Sequence, residues 1–152
     1  MSASPVVLLL SGPNLNLLGE REPEVYGTAT LEDHVATARA RATELGLELE
    51  HLQSNHEGDL IEAIHAARGR VAALVLNAGA FTHYAWGLHD ALAAFDGPLL
   101  ELHLSNPHGR EAWRSTSVVT PVADAVIQGL GGAGYRLAMD GVAALLGRNL
   151  PS

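Results

Sequence analysis

Four loops of this chain carry nearly all of the side chains able to hydrogen-bond a small polar molecule and exchange protons with it. The richest is GPNLNLLGEREPEVYG at 12–27, with Asn14, Asn16, Arg21 and Tyr26. Ser54-Asn55-His56, then Asn77 with Thr82-His83, then Ser105-Asn106 with His108 and Arg110 complete the set. Asn and Ser are ordinary turn formers, so each group taken singly has a structural explanation. Each group, however, directly follows a segment that reads as a strand, and turn chemistry alone would not favour one end of every strand.

The elements that would position these groups are legible from periodicity. Pro5 to Leu10 is a continuous apolar run, as expected of a parallel strand buried on both faces. About eighteen residues separate it from the next helix, where such connections usually take about two to six, and the excess marks 12–29 as a functional loop or lid. Its Leu15, Leu17, Leu18, Val25 and Tyr26 are too apolar for a solvated tail. TLEDHVATARARATELG from Thr30 predicts a helix, with Thr30 as cap, Asp33 three residues on and Gly46 as stop. Leu47 to Gln53 alternates as an edge strand does. Further expectations are a helix over 59–67, a strand over 71–76, a helix over 84–95, a strand over 98–104 and a short fifth strand over 118–120. Two helices, 122–130 and about 133–146, would close the chain. This alternation predicts an α/β domain: a flavodoxin-like three-layer sandwich with a five-stranded parallel sheet, spanning 1–152 as one unit. Ligands of such sheets bind beyond the carboxyl ends of the strands, near the point where the winding reverses.

Composition excludes several chemistries. With no Cys there can be no thiolate nucleophile, disulfide or cysteine-held metal. All 9 basic residues counted as Lys+Arg are Arg, so no lysine imine can form and no P-loop lysine exists. A net charge of −8 without a basic stripe argues against nucleic acid and for a small substrate. An anionic one would be held by a few Arg groups and by backbone amides. No stretch is apolar enough to span a bilayer, and Met1-Ser2-Ala3-Ser4 lacks the basic start of a secretory signal, so the expectation is a cytoplasmic protein with no membrane partner.

Five motifs carry a further inference: GPNLNLLGEREPEVYG at 12–27, QSNHEGDLIEAIH at 53–65, NAGAFTH at 77–83, ELHLSNPHGREAWR at 101–114 and the glycine-bearing stretch around 127–135. In these, and along almost its whole length, the chain resembles the type II 3-dehydroquinate dehydratases. The resemblance implies reversible loss of water from 3-dehydroquinate, a small anionic cyclic substrate, with no metal or cofactor. It also implies a homo-oligomer, a dodecamer built as a tetramer of trimers. Tyr26 would be the base, with Arg21 beside it favouring the phenolate. An unperturbed phenol titrates near pH 10, and a nearby cation lowers such a value by about one to three pH units. His103 would be the acid, held by Glu101 two residues earlier on the same strand face. Asn14 would stabilise an enolate through an ordered water. Asn77 and the backbone amides of Leu104 and Ser105 would take the substrate carboxylate, His83 and Arg114 the ring hydroxyls, and Asp90 would reach the site of a neighbouring subunit.

Departures from the family pattern lie beside these positions. Tyr84 to His89 stand where Thr-Ser and an Arg are more usual, Ser115-Thr116 replace a common His-His pair, and Pro107 and Gly109 replace an aliphatic residue and Ala. They bear on substrate preference and trimer packing more than on the reaction. Two alternatives follow: a dehydratase of the amino-substituted analogue, or a flavodoxin-like binding module holding a phosphate, a flavin or a metal through His56, His83, His103 and His108. Against the module, Pro13 and two Asn replace a glycine-rich cradle, and no HxH or HxxxH pair occurs.

Overall fold

A computed structural model describes residues 3–148. Five parallel strands form one sheet: β1 (Val6–Ser11), β2 (Glu48–Gln53), β3 (Ala73–Asn77), β4 (Leu99–His103) and β5 (Ala125–Gln128), in the order β2-β1-β3-β4-β5. The helices are a single turn α1 (Pro23–Tyr26), then α2 (Leu31–Glu44), α3 (Glu57–Ala67), α4 (Trp86–Ala93) and α5 (Ala133–Leu145).

The apolar runs of β1, β3 and β4 place successive side chains on opposite faces, and both faces are covered. Val7, Leu9, Ala73, Val75, Leu100 and Leu102 pack with α2 and α5. Their neighbours Leu8, Leu10, Leu74, Leu76 and Leu99 pack with α3 and α4. β2 alternates exposed and covered residues because it is an edge. Thr30 and Asp33 form a reciprocal capping box at the start of α2, and Gly46, at φ +74°, follows its end. The order 2-1-3-4-5 makes the junction of β1 and β3 the point of reversal. Backbone contact there is tight. Gly12 donates to the Asn77 carbonyl at 2.8 Å, and a Cβ at Gly12 would lie 2.2 Å from the Ala78 carbonyl oxygen.

The carboxyl-terminal third differs from expectation. Residues 118–120 are not a strand: Val118 and Val119 are fully buried beside α3 and α4, and the Val118 amide donates to the Thr82 carbonyl at 2.7 Å. The Ser117 hydroxyl accepts from the amides of Val119 and Thr120, turning the chain into a 3-10 turn over 120–122. The expected helix 122–130 is instead β5, paired with β4 from Leu100↔Ala125 to His103↔Gln128. Ala-Val-Ile-Gln is a short β-branched run followed by glycine, and tertiary pairing settles a pattern that periodicity leaves ambiguous. The helix expected over 84–95 begins only at Trp86, because residues 79–83 form a 3-10 turn. Residue 1 and residues 149–152 of the expected 1–152 unit lie outside the described residues, as does residue 2.

Candidate active site

A cleft lies beyond the carboxyl ends of β1, β3 and β4, at the reversal of winding. Asn14 comes from the turn after β1, Asn77 from the last position of β3, and His83 from the 3-10 turn that follows. His103 ends β4, and Leu104 and Ser105 continue it along the wall. Arg21 and Arg114 also line the cleft, as do Pro13 and Arg110. All four loops thus lie at one end of the sheet, as expected, and those after strands one, three and four line the cleft.

Strand two is different. The Ser54 hydroxyl donates to Asp59 at 2.6 Å and accepts from the His56 amide, while Asn55 Oδ1 accepts from the amide of Asn14 at 3.0 Å. Turn chemistry accounts for this group, whose part is to brace Asn14. Asn14 itself sits at φ +66°, a left-handed conformation that Asn tolerates better than most residues.

Glu101 and His103 form the chemically most distinctive pair. The Glu101 carboxylate is 2% exposed, and its Oε2 accepts from His103 Nε2 at 2.6 Å and from the Ser117 hydroxyl at 2.9 Å. Its other oxygen accepts from the Thr120 hydroxyl. Burial pushes this carboxyl up, but the hydrogen bonds from His103, Thr120 and Ser117 and the charge of His103 outweigh it, leaving a net shift below the ordinary value. An ionised partner fixed on Nε2 orients the imidazole and leaves Nδ1 as the other proton-carrying atom. Glu101 does not itself line this cleft; together with His103 it lines a second cavity behind it.

His83 Nδ1 lies 2.6 Å from the Thr116 carbonyl. A carbonyl can only accept, so Nδ1 carries a proton and Nε2 of the neutral ring is an acceptor. Burial first, then the positive charges near it, hold the ring below its ordinary value, and the neutral form prevails. Trp113 meets this ring edge-on at 5.1 Å, and the Arg114 guanidinium lies 4.1 Å from the Trp113 centroid while its Nε donates to Glu111 at 2.7 Å. Thr116 therefore contributes a carbonyl that any residue supplies. His89, another departure, uses Nδ1 to donate to the Val118 carbonyl at 2.7 Å and so anchors the buried turn.

One expected residue lies apart. Asp90 is exposed on α4 and is not among the residues lining its own chain's cleft. The backbone of Tyr26 ends α1, but its side chain lies outside the described residues. The sequence reading also passed over several positions. Glu22, at φ +43°, pairs with Arg21 at 3.0 Å and lies 3.9 Å from Arg110, which donates to the Ser105 hydroxyl. Ser117 and Thr120, which hold Glu101, gave no signal because they are remote from it in sequence. Among the described residues no group of three or more His, Asp or Glu side chains is placed to hold a metal, and no helix is long and apolar enough to cross a membrane.

Fold and cleft together define a flavodoxin-like domain whose switch-point crevice pairs a buried carboxylate with an imidazole and gathers guanidinium groups suited to an anion. The family described as Dehydroquinase class II matches residues 5–143, and the chain belongs to that family. It is 56% identical to the 3-dehydroquinate dehydratase 1 of Corynebacterium efficiens over 88% of this chain and 89% of that one. It is 51% identical to the catabolic 3-dehydroquinase of Aspergillus clavatus over 90% of this chain and 91% of that one. The crystal structure of type II dehydroquinase from Propionibacterium acnes superposes with a TM-score of 0.89 at 39% identity, covering 95% of this chain and 99% of that one.

Proposed function

We propose that this chain is a hydro-lyase that interconverts 3-dehydroquinate and 3-dehydroshikimate by reversible elimination of water. Family membership supports the reaction. One geometric observation carries the mechanism: buried Glu101 clamps His103 Nε2 at 2.6 Å, and the His103 ring lines a cleft shared with Arg21 and Asn77.

In this reading Tyr26 removes the proton from the carbon next to the ketone, as a phenolate favoured by Arg21. The electron pair moves onto the carbonyl oxygen, and the resulting enolate is stabilised by Asn14 through an ordered water. As the enolate collapses, the carbon–oxygen bond breaks and His103 gives its proton to the departing hydroxyl, which leaves as water. Glu101 stays ionised and holds the His103 ring in place for this transfer. Asn77 and the amides of Leu104 and Ser105 hold the substrate carboxylate, while Arg114 donates to a ring hydroxyl and His83 Nε2 accepts from another. These steps call for neither metal nor cofactor.

The same proposal makes residues 12–29 a lid that closes on bound substrate and brings Tyr26 over the ring. Asp90, exposed on its own chain, then serves the site of a neighbouring subunit in a dodecamer of four trimers. We place the enzyme in the cytoplasm, acting on a freely diffusing substrate.

The test is an ultraviolet assay for the conjugated enone product. 3-Dehydroquinate should give a rising absorbance that survives chelator. Borohydride added with substrate should leave activity intact, because no lysine is present to form an imine. No absorbance change would overturn the assignment, and strong preference for the amino-substituted analogue would move it to that substrate.

A further inference from the structure

Behind the cleft, four polar side chains from four elements join in a line within the layer between the sheet and α2/α5. Tyr135, in the first turn of α5, is 0% exposed, and its ring stacks on His34 at 5.0 Å with the planes 1° apart. Its oxygen lies 3.2 Å from Asn77 Nδ2, and the Ser11 hydroxyl is its second partner. Ser11 Oγ lies 2.9 Å from His51 Nε2. Ser11 and Asn77 face each other in register across β1 and β3, so the line runs beneath the reversal point where the cleft opens.

Donor and acceptor chemistry gives this line a direction. An amide nitrogen can only donate, so the phenol oxygen accepts from Asn77. Its own hydrogen then goes to Ser11, whose hydroxyl hydrogen turns to His51 Nε2. Both ends favour that arrangement. Burial pushes the Tyr135 phenol up to about 12, so it keeps its proton, and burial together with the charge of Arg39 holds His51 below its ordinary value. At the other end of the amide, Asn77 Oδ1 accepts from the Gly79 amide at 3.3 Å. With the oxygen on Gly79 and one hydrogen on Tyr135, the second amide hydrogen of Asn77 is left for the cleft.

We infer that Tyr135 is a positioning residue for substrate binding: its buried oxygen fixes the Asn77 amide so that a hydrogen, and not the carbonyl oxygen, meets the substrate carboxylate. A flipped amide would set a lone pair against the anion and leave a buried phenol oxygen facing a second acceptor. The inference rests on the reading of Asn77 as a carboxylate ligand.

A double-mutant cycle with Tyr135→Phe, Asn77→Ala and the pair separates the two ideas. Tyr135→Phe keeps the ring on His34 and removes only the oxygen. KM for 3-dehydroquinate should rise roughly threefold to tenfold, the worth of one hydrogen bond, with kcat within about twofold. In the Asn77→Ala background the same change should leave KM unmoved, because the amide it orients is gone. Fully additive effects on KM, or a KM unaltered by Tyr135→Phe while Asn77→Ala raises it, would overturn the positioning role. An unaltered KM in Asn77→Ala would instead sink the carboxylate reading, and the positioning role with it. Should Tyr135→Phe fail to fold, Ser11→Ala removes the acceptor that turns the phenol hydrogen away from Asn77 and carries the same expectation in the same cycle.

Discussion

Glu101 Oε2 and His103 Nε2 lie 2.6 Å apart on one face of β4, with the hydroxyls of Ser117 and Thr120 closing around the carboxylate from a turn some sixteen to nineteen residues later. The carboxylate is thereby kept ionised although it is buried, and its charged oxygen orients the imidazole through their hydrogen bond. Glu101→Gln preserves shape but removes that charge. We expect kcat to fall roughly a hundredfold, the usual scale for losing an oriented general acid, with KM little changed. Steady-state ultraviolet kinetics measure this, and a kcat within a few fold of the parent would detach Glu101 from the acid step.

Tyr26→Phe tests the base. The variant should fold and assemble as the parent does and bind substrate, yet lose turnover by roughly a thousandfold or more. Matching melting curves and gel-filtration profiles would confirm that the loss is chemical. Activity within a few fold of the parent would remove Tyr26 from the mechanism.

Stability should fall as the solution is acidified below about pH 6.5. Burial holds His34, His51 and His83 below the ordinary imidazole value of 6.5. Below that pH the unfolded chain takes up protons that the folded chain refuses, so the stability present above pH 6.5 is lost progressively toward the lower folded values. Glu101 adds a second loss further down, because its depressed carboxyl stabilises the fold above about pH 4.5 and ceases to as pH falls through its folded value. Urea midpoints at pH 7.5 and 5.5 measure the first effect. His34→Leu should reduce the difference at little cost in stability, since His34 Nε2 is buried without a partner among the described residues. An unchanged pH difference would exclude His34 as a source.

Gly12→Ala should destabilise the domain by about 2 kcal/mol or more, because the added carbon would meet the Ala78 carbonyl oxygen at 2.2 Å and both backbones there are fixed by the sheet. The shift would also part Asn14 from Asn77, so KM should rise in whatever fraction remains folded. A melting temperature equal to the parent's would show that the β1 and β3 termini can separate without strain.

Much of this architecture could be read from periodicity. Val6 to Leu10 and Ala73 to Leu76 are apolar on both faces, as strands of a covered parallel sheet are, while Leu99 to Leu102 keeps one fully apolar face and sets Glu101 on the other. Thr30, Asp33 and Gly46 marked α2 because caps are local hydrogen-bond chemistry. Ala125 to Gln128 was misread as helical because four residues carry too little pattern, and its pairing with β4 is a long-range fact. Val118 and Val119 were misread as a strand because burial alone does not distinguish a ladder from a buried turn.

The site divides in the same way. The residue types and their places after strands one, three and four were set by the chain itself, since a parallel strand delivers whatever follows it to one end of the sheet. Which oxygen holds Glu101, which nitrogen of His83 is protonated, and which end of the Asn77 amide faces the cleft depend on Ser117, Thr120, Thr116 and Tyr135. Those partners lie between 16 and 58 residues away along the chain. Hydrogen-bond orientation is a property of the folded neighbourhood, so only the tertiary structure could decide it.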